Sequence, residues 1–503
     1  MAFTNEQLDA INKEGKNIIV SAGAGSGKTT VLTERVIRKI KDGTHINELL
    51  ILTFTNAASA EMKDRIRKNI IKDSSLKDEL NLLDTAFITT FDSFTLSILK
   101  KYDYLLNIKD NVSPCDETLI NLKKKEILDN IFDSLYEDKN EKFSKLISDF
   151  CVKDDNQIKE LILKMNHLIE TKTDKYKYLE KYLDTNFNDK KLDEDVSLFE
   201  ELLIKRIKEI SNILDEIKYY SDEDFYEKLS ISLNDLINSK KYEDIFKNIM
   251  NLDIPRLPSG SSEELKSLKK KLSDTRDNIK DLCRFNSSEE IKESISMSKD
   301  YVSIIIDIIT RLNKELDDFK FKNDLYTFND IAILAINLIK NNDKVRKELT
   351  ASFKEIMIDE YQDTNDLEEE LISLISNNNV YVVGDIKQSI YRFRDANPDI
   401  FKEKYDLYRD GNLGYKIDLN DNFRSRKEPL LNINLIFDLI MDKEIGGSDY
   451  INDGRMIPGN KDYPDNNQNN DMEIINYSTL DTKYSKEEIE AFIIANEDRK
   501  SVV

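Results

Sequence analysis

The sequence predicts an α/β protein in which a parallel sheet is interrupted by a large all-helical insertion. Near both ends of the chain, short apolar runs alternate with helix-like patterns, the texture of strands joined by helical crossovers. Between about residues 105 and 325 the strands vanish, and Lys, Glu, Asp, Asn and Leu recur at helical spacing. Only 13 glycines and 7 prolines occur in 503 residues, too few for the turn-dense pattern of a β-sandwich or barrel. At roughly 150 residues per domain, the length suggests about three units.

In chain order, the first half-sheet occupies residues 1–104, with buried strands expected at 17–22 (NIIVSA), 49–55 (LLILTFT) and 86–90 (AFITT). The insertion, 105–325, carries its clearest helical periodicity at 119–135 and 202–219, and its one plain break is IPRLPSGSS at 254–262. Its charge runs read as solvated helix faces. The sheet resumes over 326–428, with strands at 355–359 (EIMID), 380–383 (VYVV) and 415–419. The first two of these end in dense polar turns, and the C-terminal ends of strands are where open α/β sheets bind ligands. Residues 429–503 read as the start of a further domain: a helix at 429–441, a Gly- and Asn-rich loop at 446–470, a short strand at 472–477 and a helix at 485–496.

Composition narrows the chemistry. Three cysteines without C-x-x-C spacing, Cys115, Cys151 and Cys283, cannot build a disulfide framework or an all-cysteine metal site, which points to a reducing, cytoplasmic setting. Two histidines, His45 and His167, leave little room for a serine-type triad or a His-rich zinc centre. No apolar run approaches the roughly 20 residues of a membrane span, and MAFTNEQ is not a signal peptide. The net charge of −22 weighs mildly against a polyanionic partner, although a local basic groove can exist on an acidic molecule.

The strongest motif is Ala22-Gly23-Ala24-Gly25-Ser26-Gly27-Lys28-Thr29, directly after a strand and directly before the helical run TTVLTERVIRKI. Glycines let backbone N–H groups turn inward on a phosphate, and the helix adds the positive end of its dipole. Lys28 would then neutralise the β- and γ-phosphates, and Thr29 would ligate Mg²⁺. Ala22 stands where the strict pattern has glycine. A second carboxylate site follows strand EIMI: Asp359 would hold Mg²⁺ through water and Glu360 would orient or deprotonate the attacking water. A third turn, residues 383–394, brings Gln388 toward the γ-phosphate and interleaves Tyr391 and Phe393 with Arg392 and Arg394. Aromatics among arginines suit single-stranded nucleic acid, because every base has a π-face to stack.

With these motifs in order, the sequence resembles the UvrD/Rep-like superfamily 1 DNA helicases. The matching segments are 3–7 (adenine-reading Q motif), 22–30 (motif I), 52–62 (LTFTNAASAEM, Ia), 90–94 (TFDSF, Ib), 359–365 (II), 383–396 (III) and 419–425 (LNDNFRS, IV). Within that family GDIKQSIYRFRDANPDIF and YTFNDI are most similar to the AddA-type components of AddAB helicase–nucleases. The resemblance implies a RecA-like domain 1A in two halves, the helical insertion as domain 1B, and the start of a second RecA-like domain. It also implies an ATP- and Mg²⁺-dependent 3'–5' DNA helicase subunit that works in double-strand break repair and recombination. Its partners would be DNA, with a single-stranded track entered from a duplex end, and an AddB-like subunit.

Carried over residue by residue, the resemblance assigns nucleotide contacts to Gln7, the loop Ala22, Gly23, Ala24, Gly25, Ser26, Gly27, Lys28, Thr29 and Thr30, and to Phe423 as the ring stacked on adenine. Catalytic roles fall to Lys28, Asp359, Glu360, Gln388 and Arg424, the last as a γ-phosphate clamp; metal ligation falls to Thr29 and Asp359. Phe54, Thr55, Asn56, Tyr391, Phe393 and Arg394 would line the single-stranded DNA track. Asp92 stands where the family commonly has histidine, Glu368 where it has glutamine and Phe423 where it more often has tyrosine. Motifs V and VI and the nuclease are not found in these residues, and Asp385-Ile386-Lys387 lies inside motif III, so no nuclease is read there. The expectation is an N-terminal portion that is poorly active alone. A fragment of a stand-alone UvrD-like helicase and a non-catalytic nucleotide-binding module are the alternatives.

Overall fold

A computed structural model describes residues 3–106, 112–443, 445–463, 472, 474–479 and 482–501. The chain divides into two compact units, one made of residues 1–97 with 338–503 and the other of 98–337.

The first unit is built on a six-stranded sheet. Its strands are β1 (Asn17–Ala22), β2 (Leu49–Thr53), β3 (Phe87–Thr90), β4 (Glu355–Ile358), β5 (Val380–Gly384) and β6 (Gly414–Leu419). The order is β3-β2-β4-β5-β1-β6, and every pair is parallel. Because β4 and β5 lie between β2 and β1, neither half of the sheet can close without the other. The register sets Ile19 beside Val382 and Lys416, and Ile51 beside Ile88 and Met357. The central strands are buried along their whole length, which is why their sequences are continuous apolar runs. Helices α1 (Asn5–Asn12), α2 (Lys28–Lys41) and α3 (Asn56–Lys72) cover the sheet, and Ala10, Val31, Leu32, Ile66 and Tyr381 join one core.

A charged pair is buried beside that core. Arg35 of α2 is fully buried; its Nε and Nη2 donate to both Glu355 oxygens at 3.0 and 2.5 Å, and its Nη1 donates to the Ala10 and Ile11 carbonyls. Its guanidinium also lies 4.4 Å from the Tyr381 ring centroid. This clamp ties the helix that follows the glycine-rich loop to β4, the strand that ends at Asp359.

The second unit is helical. Helix Glu117–Glu137 contains the predicted segment 119–135, helix Asp189–Ile217 holds 202–217 of the predicted 202–219, and the predicted break 254–262 falls between helices Tyr242–Met250 and Glu263–Leu282. Two apolar cores hold it, one around Phe132, Phe143 and Leu312 and the other around Leu203, Leu229 and Tyr242. Asp116, Asn140, Asp174, Asn188, Asp222 and Ser262 each cap a helix N-terminus through the side chain.

After β6 comes a small parallel pair, β7 (Asp421–Asn422) with β8 (Ile457–Pro458), around helix Lys427–Ile440. The strand expected at 472–477 does not form: residues 472 and 474–477 carry no strand structure. An apolar run becomes a strand only where a partner edge supplies its hydrogen bonds, and no described strand pairs there. The loop expected at 446–470 holds the turn Tyr450–Gly454 and β8, with 464–470 outside the described residues. The last helix is Lys486–Ser501. Among the described residues no helix is long and apolar enough to cross a membrane.

Candidate nucleotide and nucleic-acid site

The C-terminal ends of β1, β2, β4, β5 and β6 converge on one edge of the sheet, and nearly every residue singled out from the sequence stands there. The turn after β1 runs from Gly23 to Gly27, with α2 beginning at Lys28. Gly25 and Gly27 have φ of 76° and 89°, left-handed backbone that favours glycine. The loop is braced from outside. Ser26 Oγ donates to the Gly23 carbonyl at 2.8 Å, Asn422 Nδ2 to the Ala24 carbonyl at 2.7 Å, Phe423 N–H to the Gly25 carbonyl at 2.9 Å and Gln7 Nε2 to the Ser26 carbonyl at 2.9 Å. With the carbonyls of residues 23–26 all hydrogen-bonded and the Ser26 N–H turned on Gly23, the remaining loop N–H groups can meet an anion.

Lys28 reaches across this turn. Its ammonium lies 2.8 Å from Glu360 Oε2 and 3.4 Å from Gln388 Oε1. Glu360 itself has φ of 51°, a left-handed conformation uncommon for a residue with a side chain, and such strain concentrates at functional sites. Burial, with Glu360 beside it, pushes the Asp359 carboxyl up to about 6, against the opposing pull of Lys28. Asp363 is raised to about 6 by the same causes, and burial lifts Glu368 to about 8.

Gln362 and Asp385, given no role by sequence reasoning, knit the site together. Gln362 Nε2 donates to Glu360 Oε2 at 2.9 Å, and its Oε1 accepts from Asp385 N–H at 2.9 Å. Asp385 Oδ2 accepts from Gln388 Nε2 at 2.8 Å, while Lys387 Nζ lies 2.7 Å from Asp385 Oδ1. Asp385 is thus buried and spoken for. A polar residue at the end of an apolar strand was the only signal for it.

Gln7 is held by a reciprocal cap with Thr4 and lines a cavity of about 140 Å³ with Glu6, Ser26, Asp418, Asp421, Phe423 and Ile457. Arg424 is exposed and makes no ion pair with any described residue; its backbone N–H donates to Asn422 Oδ1 at 2.9 Å. Thr29 is half-buried at the start of α2 and Thr30 is exposed. Among the described residues no cluster of three or more metal-ligating side chains is arranged around a cation.

The aromatic groups meet beside this turn. Phe54 and Tyr391 have ring centroids 4.7 Å apart, Tyr391 and Phe393 5.7 Å, and the Arg394 guanidinium stands 5.7 Å from Phe54 and 5.8 Å from Tyr391. Phe393 is 75% exposed, which excludes a core pair. Thr55 caps α3 through its hydroxyl, and Asn56 opens that helix in solvent.

The UvrD/REP helicase N-terminal domain matches residues 3–409, from the Gln7 cap to the end of motif III and the helix after it. The chain belongs to the UvrD/REP helicase family. It is similar to proteins described as the A component of an ATP-dependent helicase/nuclease: 32% identical to that of Clostridium kluyveri over 89% of this chain and 40% of the relative. For Lactobacillus johnsonii the figures are 34%, 92% and 42%, and for a Thermoanaerobacter species 33%, 91% and 41%. The chain spans about two fifths of the length of these relatives. In this member of the UvrD/REP helicase family the β7–β8 segment, beyond the family match, completes the cavity around Gln7 through Ile457.

Proposed function

We propose that this chain is the ATP- and DNA-binding part of a cytoplasmic ATP-dependent 3'–5' DNA helicase subunit of the AddAB type, acting in double-strand break repair and recombination. The observation that carries the reading is the convergence of Lys28, Glu360 and Gln388 at the glycine-rich turn, on the same strand ends that bear the Phe54–Tyr391–Phe393 platform. In this reading residues 1–104 and 326–428 make one RecA-like domain, 105–325 its helical insertion, and 429–503 the start of a second RecA-like domain.

Lys28 holds Glu360 through its ammonium. Phosphate oxygens would take that ammonium, leaving Glu360 free to orient and deprotonate the attacking water. Gln388 stands beside Lys28 and, through Asp385 and Gln362, in contact with Glu360, so a change at the γ-phosphate reaches both. Arg424 would clamp the γ-phosphate, and Gln7 keeps one donor hydrogen and one acceptor lone pair for adenine. Mg²⁺, held by Thr29 and Asp359, would neutralise phosphate charge. Gln388 and Tyr391 share one short turn, so nucleotide state and base stacking are mechanically linked. The relatives are described as one component of a helicase/nuclease, which supports an AddB-like protein as partner.

The test is ATP hydrolysis with and without single-stranded DNA, in wild type and Glu360→Gln. Slow hydrolysis that DNA stimulates and the variant abolishes is expected. Hydrolysis indifferent to DNA, or unchanged in the variant, would overturn the reading.

A further inference from the structure

The segment Met456–Gly459 lies in the Gly- and Asn-rich stretch to which sequence reasoning gave no role, yet it touches the nucleotide site at three points. A Cβ on Gly23 of the phosphate loop would sit 2.2 Å from the Met456 sulfur, so the thioether is packed directly on the loop. One residue on, Ile457 lines the 140 Å³ cavity that also holds Gln7 and Phe423, and 52% of it is exposed. A Cβ on Gly459 would stand 2.8 Å from Phe423 Cε1, so this backbone is packed against the ring.

The segment is fastened as a wall rather than draped as a loop. Ile457 N–H donates to the Asn420 carbonyl at 2.8 Å and Gly459 N–H to the Asn422 carbonyl at 2.9 Å, pairing β8 with β7. Asn434 Nδ2 holds the Met456 carbonyl at 2.9 Å, and Asn460 Nδ2 donates to the Phe423 carbonyl at 3.2 Å. An aliphatic side chain left half in solvent inside a cavity, opposite a buried amide, is surface that a flat apolar ligand would cover.

We propose that Met456–Gly459 is the second wall of the base pocket: Ile457 covers one face of the purine of a bound nucleoside triphosphate, and Gly459 is a positioning residue that sets the Phe423 ring. This rests on the nucleotide reading above and adds the residues that read the base rather than the phosphates. Burying the Ile457 side chain under the base would contribute about tenfold in affinity. Any side chain at position 459 would displace that ring.

The experiment is calorimetric titration of the 503-residue chain with Mg²⁺ and either ATP or inorganic tripolyphosphate, which has no base. Ile457→Gly is expected to weaken ATP about tenfold while tripolyphosphate changes by less than about twofold. Gly459→Val is expected to do the same, and to add nothing in a Phe423→Leu background, where the ring it displaces is gone. An equal fall for both ligands would make the segment a mere brace of the phosphate loop and overturn the proposal, as would unchanged ATP binding in both variants. Lys28→Ala separates the two levels. If it leaves ATP binding intact, the nucleotide reading fails and the wall with it; if it abolishes binding while the wall variants bind normally, only the wall fails.

Discussion

Asn422 is the residue whose loss should separate the phosphate loop from the arginine turn. It is buried; its Nδ2 donates to the Ala24 carbonyl at 2.7 Å, and its Oδ1 accepts from the N–H groups of Arg424 at 2.9 Å and Ser425 at 2.8 Å. In Asn422→Ala the Ala24 carbonyl, on an exposed residue, is rehydrated at little cost. The two N–H groups lose an acceptor that fixes Phe423 and Arg424 in place. At about 1 kcal/mol each, they cost about 2 kcal/mol, or roughly 30-fold in ATP affinity if the turn must be ordered on binding. Asn422→Asp keeps both acceptor bonds but sets a buried carboxylate oxygen against the Ala24 carbonyl, so it should lose more affinity than Asn422→Ala. Equilibrium titration with a fluorescent ATP analogue reads both variants, with urea unfolding run in parallel to separate a local from a global loss. Equal affinity in Asn422→Ala and wild type, or equal losses in Ala and Asp, would refute the account of the turn.

Other outcomes follow from the same geometry. Arg35→Ala leaves buried Glu355 with only Lys39, 3.8 Å away, and should cost about 3 kcal/mol in urea unfolding; a loss under about 1 kcal/mol would show that the clamp is dispensable. Asp359, held at about 6 by burial and by Glu360, is mostly protonated below that pH, so Mg²⁺-dependent ATP affinity should fall about tenfold per unit as pH drops from 6. Stability runs the other way for this group: its folded pKa lies above the ordinary 3.8, so the folded state binds the proton more tightly, and its contribution is lost as pH rises from 3.8 to about 6. A pH-independent affinity between about 5 and 7 would remove Asp359 from metal binding. Tyr391→Ala should weaken a single-stranded oligonucleotide by about 1–3 kcal/mol in fluorescence anisotropy without changing ATP affinity in the absence of DNA; an unchanged oligonucleotide affinity would dismiss the platform.

The strands of the sheet were legible because β2, β4 and β5 are buried on both faces, which forces a continuous apolar run that no surface helix shows. Residues of the glycine-rich turn were legible because phosphate chemistry dictates them one by one. Gln362 and Asn422 are not legible that way: Gln362 accepts from a backbone N–H at the end of a neighbouring strand and Asn422 donates to a carbonyl hundreds of residues distant, and neither leaves a periodicity. Arg35 was hidden for the opposite reason. In TTVLTERVIRKI a charge on a helix reads as solvent-facing, and only the sheet order, which brings β4 beneath α2, makes it an interior clamp. The segment 472–477 and β8 differ in partner supply. Apolar MEIINY finds no described edge, whereas Ile457–Pro458, two residues long, finds Asp421–Asn422.

The most direct measurement is ATP affinity of the wild-type chain and Lys28→Ala, each with and without a single-stranded oligonucleotide. The account predicts Lys28-dependent binding whose strength changes with DNA, and an equal reciprocal change in DNA affinity with ATP, because Gln388 and Tyr391 share one turn. ATP binding that survives Lys28→Ala, or two ligands that bind without sensing each other, would contradict it.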